Sequence, residues 1–324
     1  MSAKKEDGLY VVGMGGAARD LVGYGASPPH ISLPGNAQIA VNIVINYEEG
    51  AELSPVDGDE AREITSESVY TVPLGDRDLL QESAYEYGSR VGIWRIMRIL
   101  DEYGATATVF GCGRALLRNP DVCDAFNDRG YDVVGHGYRW EPHLAMSEEY
   151  ERTQIRAAIA AIQTATGQRI EGWFTRALPS VNTRRILVEE GLSYDCDSLA
   201  DDLPYYVRVG DNSHLVVPYS LDVNDIRFWK GSFATGTEWF QYAADAFDTL
   251  YSDGRDAPRL LTIGLHPRII GRPGRAAAFH KLLSYIYSKP GVWVCRRNDF
   301  AKLWREQFPL PAVPHPNQLG KGAN

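Results

Sequence analysis

The chain has 324 residues, 44% of them hydrophobic and 23% charged, enough for one large domain with a full core plus extensions. Its net charge of −9 argues against nucleic acid or an anionic membrane as the main partner, and no apolar run approaches the roughly 18–20 residues that span a bilayer. The four cysteines, Cys112, Cys123, Cys196 and Cys295, lie far apart without C-x-x-C spacing and read as reduced, buried thiols, not as a disulfide frame or a zinc site.

Residues 1–37 are rich in Gly, Pro and Ser and read as an irregular N-terminal arm. The arm opens with charges and then a short apolar stretch broken by glycine, a poor signal peptide, so the expected location is cytoplasmic. An apolar strand over 39–47 ends in Asn46-Tyr47-Glu48-Glu49-Gly50. The acidic segment 51–80, with a turn signal at Val56-Asp57-Gly58-Asp59, reads as a long loop of the kind that walls a site. Tyr85 to Arg90, then Trp94-Arg95, lead into a helix. Strands over 106–110 and 131–136 follow. Ser147 caps a helix with Glu148 and Glu149 in its first turn; Ile155, Ile159 and Ile162 form its inner face and Gly167 closes it. Strands over 170–175 and 215–219 precede a helix from about Glu238, with Trp239, Ala243, Phe247 and Leu250 on one stripe. A strand over 260–266 precedes a helix that opens at Pro273 and turns Phe279, Leu282, Leu283 and Ile286 inward. A strand over 292–296 ends the series, and a proline-rich tail over 309–324 reads as mobile. The strands are short and apolar, as in a covered parallel sheet. Their alternation with helices predicts an α/β domain over 38–308, its parallel sheet open or closed into a barrel.

The reactive side chains fall where these strands end. Glu48 and Glu49 end the first, His136 the third, Thr175-Arg176 the fourth and His266 the sixth. Carboxyl ends of parallel strands meet at one face, where sites are built. Adjacent carboxylates supply a general base when one has a raised pKa, and a histidine closing an apolar strand supplies an acid or an oxyanion donor. Arg268, Arg272 and Arg275 could orient a carbonyl-rich or anionic substrate. His136 with Trp140 lacks the i, i+4 histidine pair of a metal site; His143 is the available substitute. The bland readings are a solvated acidic loop for the glutamates and rim histidines bonded to backbone.

The blocks RDLVGYG, NYEEG, YEYGSRVGIWR, GHGYRW (135–140), TGQRIEGW, NTRRILVEEG, YDCDSLADDLPY, PYSLDVNDIRF and GLHPRIIGRP, spread over residues 18–308, resemble the polysaccharide deacetylase (NodB-homology) superfamily, and within it the branch of metal-independent allantoinases and cyclic imide hydrolases. The resemblance implies a distorted (β/α) barrel of the NodB type with parallel strands. It carries the base place to Glu48, the ligand place to Glu49, the first metal-ligand histidine to His136 and the acid place to His266, while Trp140 replaces the second ligand histidine. It implies hydrolysis of a cyclic amide C–N bond, most directly ring opening of allantoin to allantoate, without a cofactor. Tyr87, Trp140, Trp173, Arg176, Asn224, Asp225 and Arg272 are the expected substrate-binding residues, the partner is a small-molecule cyclic amide, and a homo-oligomer is implied. Departures fall at Phe174-Thr175-Arg176-Ala177-Leu178-Pro179-Ser180, one residue longer than the branch pattern with its arginine displaced, and at Pro267 in place of Cys. The rival readings are a metal-dependent N-deacetylase of an acetylated sugar or peptidoglycan fragment, with His143 or a water replacing the missing ligand, and a non-catalytic binding protein; no cofactor is expected, with a weak divalent ion at Glu49 and His136 left open.

Overall fold

The computed structural model describes residues 19–65, 71–176 and 178–310, with the backbone of three short strands ahead of them. The strands are β1 (Lys5–Glu6), β2 (Leu9–Gly13), β3 (Gly16–Ala17), β4 (Ile39–Tyr47), β5 (Thr108–Gly111), β6 (Asp132–Gly135), β7 (Gly172–Trp173), β8 (Tyr194–Asp195), β9 (Tyr205–Val209), β10 (Asn212–Val216), β11 (Val223–Asn224), β12 (Arg259–Leu265) and β13 (Val292–Val294). The helices are α1 (Leu79–Tyr87), α2 (Ile93–Glu102), α3 (Gly113–Arg118), α4 (Pro120–Asp128), α5 (Glu148–Thr166), α6 (Thr183–Glu189), α7 (Gly236–Asp253), α8 (Pro273–Tyr287) and α9 (Arg297–Gln307).

The sheet runs in the order β1-β2-β9-β10-β8-β7-β6-β5-β4-β12-β11 and is parallel from β10 through β11. The class is thus the α/β, mostly parallel arrangement expected, with the described strands forming an open path. β4 is its axis: β12 pairs along Ile39 to Ile45, β5 along Val44 to Tyr47, and β13 fills the remaining edge at Ile39 to Val41. Alternate residues of β4 divide between two cores. Ile39, Val41, Ile43, Ile45 and Tyr47 pack toward the helices, and Ala40 and Val44 pack inside with Phe110, Val134 and Tyr219.

The ends of α5 and the start of α8 follow their predicted chemistry. Ser147 caps α5 and Gly167 ends it in the left-handed conformation. Thr235 and Glu238 form a capping box on α7, so this helix begins slightly before Glu238. Pro273 opens α8.

Three differences have physical reasons. The arm expected to be irregular contains β2, whose Val11 and Val12 pair with Arg208 and Val209; the apolar run Leu9 to Val12 finds a free edge there. β9 and β10 are antiparallel, joined at Gly210 with φ 59°, a Gly-Asp hairpin turn. The helix expected after Tyr85 already contains it, and runs α1, a π-helical turn over Gly88–Gly92, then α2. Beyond Leu310 the tail expected from 309 lies outside the described residues. The four cysteines are free and buried, and no helix among the described residues is long and apolar enough to cross a membrane.

Candidate active site

Glu48 and Glu49 leave the end of β4 as neighbours whose side chains diverge. Glu48 faces the histidines, whereas Glu49 packs on the π-helical turn. A Cβ on Gly88 would collide with Glu49 Oε1 and lie 2.7 Å from its Cγ, so the turn needs glycine to come this close. Gly92 plays the matching part for the loop after β12, with Pro267 O occupying the space its Cβ would fill. Gly50, at φ 95°, turns the chain away immediately afterwards.

Three side chains from two strand ends converge on Glu48. His136, after β6, sets Nε2 3.0 Å from Glu48 Oε1. His266, after β12, sets its own Nε2 3.6 Å from the same oxygen. Arg268 donates from Nη2 to Glu48 Oε2 at 2.5 Å and from Nη1 to Glu49 Oε1 at 3.3 Å. The other face of each imidazole is fixed. His136 Nδ1 lies 2.6 Å from Phe174 O, and its ring stacks on Phe174 at 5.3 Å and 7°. His266 Nδ1 lies 2.6 Å from Asp225 Oδ1. Asp225 opens a short 3-10 turn after β11, and its second oxygen accepts the N–H groups of His266 and Ile270 at 2.7 and 3.1 Å.

This geometry dictates protons. A carbonyl only accepts, so His136 Nδ1 carries hydrogen toward Phe174 O. Its Nε2 faces a carboxylate, so one further proton lies between Nε2 and Glu48 Oε1. His266 likewise stands between two carboxylates, Asp225 and Glu48. The cluster is therefore built to hold and pass a proton through Glu48 Oε1.

Burial would raise the Glu48 pKa, but Arg268, His266 and His136 together outweigh it and lower it to about 2. Glu49 is raised, chiefly by burial and also by Glu48, with Arg268 opposing. Its oxygens are committed to the protein: Oε1 accepts from Arg268 N at 3.3 Å and Oε2 from Glu48 N at 3.0 Å. Glu52, in a cleft of about 320 Å³ that reaches Glu49 and Tyr85, is pushed by burial up to about 7.

The deacetylase resemblance implies a divalent metal, and these residues do not fit one. Both nitrogens of His136 are engaged, Glu49 faces a guanidinium and Trp140 offers no lone pair. His143 Nδ1 is 3.1 Å from Glu151 Oε1, in a buried cluster with Ser180 and Thr183. Among the described residues no group of three His, Cys, Asp or Glu could hold an ion.

The remaining candidates divide. Trp140 is buried beside Arg268, its ring 4.9 Å from the guanidinium carbon. Arg176 lies over the same ring at 3.7 Å, donates to Trp140 O at 2.8 Å and pairs with Glu63 at 2.6 Å; its charge is spent on fastening the acidic loop. Asn224 donates to Tyr219 OH at 2.9 Å, as Asn46 does at 3.2 Å. Tyr87 donates to Gly271 O at 3.3 Å and carries Arg272 over its ring at 3.8 Å, so both brace the loop after His266. Trp173 is fully buried with its Nε1–H on Thr175 Oγ1 at 3.0 Å, a core position. Sequence reasoning gave Arg268 a substrate-orienting role, whereas its guanidinium is committed to Glu48 and Glu49; Tyr85 was placed only within a polar and aromatic block, and Trp229 was passed over. A lone charge flanked by apolar residues in Leu265-His266-Pro267-Arg268-Ile269-Ile270 was the available signal, since a buried charge needs partners.

The polysaccharide deacetylase family model matches residues 83–193. A Schizosaccharomyces pombe protein described as "Putative polysaccharide deacetylase" is 36% identical over 91% of this chain and 99% of its own length. A Helicobacter pylori peptidoglycan deacetylase is 26% identical over 64% of this chain and 82% of its own. Among solved structures, a probable polysaccharide deacetylase from Pseudomonas aeruginosa PAO1 superposes with a TM-score of 0.87 at 44% identity, and PuuE allantoinase with 0.86 at 44%. Each covers 90% of this chain and 99% of the other.

Proposed function

The chain belongs to the polysaccharide deacetylase family, and from that premise we propose that it is a hydrolase of cyclic amide C–N bonds, opening allantoin to allantoate or a related hydantoin or cyclic imide. The observation that carries this reading is Glu48 Oε1 standing 3.0 Å from His136 Nε2 and 3.6 Å from His266 Nε2, with Asp225 behind His266. The likeness to PuuE allantoinase over 90% of the chain supports the substrate class.

In this reaction water attacks a ring carbonyl and gives its proton to Glu48, which its cationic neighbours hold ionised in the resting site. That protonation state is always correct for a base, at some loss of basicity. His136 holds Glu48 Oε1 in place. The C–N bond then breaks, and the leaving nitrogen takes a proton from His266 Nε2. Asp225 steadies the imidazole through the exchange, and the proton gained by Glu48 restores it. The sum is one water added across one amide bond, with no net change in the protein. Glu49, bound on both oxygens, holds Arg268 in place. Trp140 and Tyr85 supply apolar walls that strengthen these electrostatic interactions.

The test is a panel of allantoin, hydantoin, dihydrouracil, succinimide and an N-acetylglucosamine oligomer, with and without chelator. Turnover of at least one cyclic compound, undiminished by chelator, is the expected result. Activity confined to the acetylated sugar and abolished by chelator would replace this reading with the N-deacetylase one.

A further inference from the structure

The charge at the centre of the site is not accounted for by the acid–base groups alone. Arg268 is fully buried, and a buried guanidinium survives only with close partners. Its partners are of two kinds. Glu48 and Glu49 take its Nη2 and Nη1 at 2.5 and 3.3 Å. Three aromatic rings stand around its carbon: Tyr85 at 4.4 Å, Trp140 at 4.9 Å and Trp229 at 5.2 Å. Two carboxylates and an aromatic cage make a cation site, and the protein's own side chain fills it. Trp140, which stands in the position of a ligand histidine, contributes one wall of that cage.

We propose that Arg268 is the resident cation of the active site, a positioning residue whose guanidinium takes the electrostatic place of a divalent ion at the Glu48–Glu49 pair. It neutralises the pair, fixes both carboxylates and turns Glu48 Oε1 toward the two histidines. The planar fork can do this because it offers parallel donors to two carboxylates at once, which an ammonium cannot reproduce. The inference deepens the hydrolase reading and rests on it for its rate measurements. Its metal measurements need no substrate.

The experiment compares the whole protein with Arg268→Ala and Arg268→Lys, using zinc chloride alone as the probe in calorimetry and thermal melts, and the best cyclic amide of the panel for kinetics. The wild type is expected to take up no stoichiometric zinc and to show no change in melting temperature. Arg268→Ala, with two carboxylates and no guanidinium between them, is expected to bind zinc and to melt a few degrees higher with it. Its kcat should fall about 10²-fold through misplacement of Glu48, with KM within about threefold, and millimolar guanidinium should restore part of the rate. Arg268→Lys keeps the charge without the fork and should retain intermediate kcat. Stoichiometric zinc uptake by the wild type would overturn the proposal. So would a wild-type kcat in Arg268→Ala, or an Arg268→Ala protein that neither binds zinc nor responds to guanidinium. Should Arg268→Ala prove insoluble, the wild-type zinc result and the kcat of Arg268→Lys decide, with a rate equal to wild type counting against. A wild type inactive on every cyclic amide would sink the substrate reading, while the zinc comparison would still judge Arg268.

Discussion

Asp225 accepts the Nδ1–H of His266 at 2.6 Å through one oxygen and the backbone N–H of the same residue at 2.7 Å through the other. The carboxylate thus fixes both the ring and the chain that carries it, and leaves Nε2 facing Glu48. Asp225→Asn offers one acceptor where two are needed and can present an N–H to the imidazole, favouring the wrong tautomer. Such a change is expected to lower kcat about 10²- to 10⁴-fold with a smaller effect on KM. Steady-state kinetics beside circular dichroism would check it; unaltered kcat in a folded variant would remove His266 from the proton path.

Glu48 anchors three positive or proton-bearing groups, so its loss should be felt in both stability and rate. Glu48→Gln leaves Arg268 and the histidines short of a carboxylate, at a cost of about 3 kcal/mol, and should reduce kcat at least about 10²-fold. The pH sign follows from its lowered pKa. Its stabilisation is fully present above the ordinary value of 4.5 and is lost as pH falls toward about 2, a contribution of about 3 kcal/mol. Denaturant melts between pH 5 and 2 should therefore fall more steeply for the wild type than for Glu48→Gln. Parallel slopes would mean that Glu48 is not held ionised.

Gly88 separates helix propensity from close packing. It is helical, at φ −54° and ψ −50°, where alanine would ordinarily gain about 1 kcal/mol. A methyl group there meets Glu49 Oε1 and Cγ. Gly88→Ala is expected to destabilise by about 1–3 kcal/mol and to lower kcat about tenfold by displacing the carboxylate. At Gly274, near the start of α8, a Cβ would meet nothing within 4 Å. Gly274→Ala is the control and should leave the melting temperature unchanged or slightly raised. Equal behaviour of the two variants would show that Glu49 can yield without cost.

The strand-end residues were legible because β4, β6 and β12 are apolar runs ending abruptly in polar residues, which places Glu48, His136 and His266 on one face from the sequence alone. The helices α5 and α7 carry their own caps and α8 opens on Pro273. Other features leave weak local marks. β8 and β11 are two residues long, too short for periodicity to register, and are defined by their neighbours in the sheet, while the strand expected over 170–175 pairs only at Gly172–Trp173. The π-helical turn looks like ordinary helix in sequence, since its reason is the approach of Glu49 and Pro267 from elsewhere in the chain. Arg176 was drawn toward the pocket by its motif position. Its partners, Glu63 and Trp140 O, lie about 110 and about 40 residues away in sequence, a separation local propensity does not see. Arg268 was visible as a residue but not as a centre, because its cage is assembled from α1, the loop after β6 and the turn after β11.

Glu52 offers a pH test at the rim of the site. Its Oε2 accepts the N–H of Gly50 at 2.6 Å, and burial raises its pKa from 4.5 to about 7, helped by Glu49 and opposed by backbone N–H groups and Arg268. A carboxyl raised on folding has the opposite sign from Glu48. Its contribution is whole below pH 4.5, where both states are protonated. It drains away as pH rises toward about 7, because the unfolded chain ionises first. The loss amounts to about 2 kcal/mol after allowance for partial exposure. Glu52→Gln keeps an acceptor for Gly50 N–H and cannot ionise. Relative to the wild type, its melting temperature should rise by about 2–4 °C between pH 5 and pH 8. A constant difference across that range would mean that Glu52 is ionised throughout, and that the acidic loop beside Glu49 is open to water.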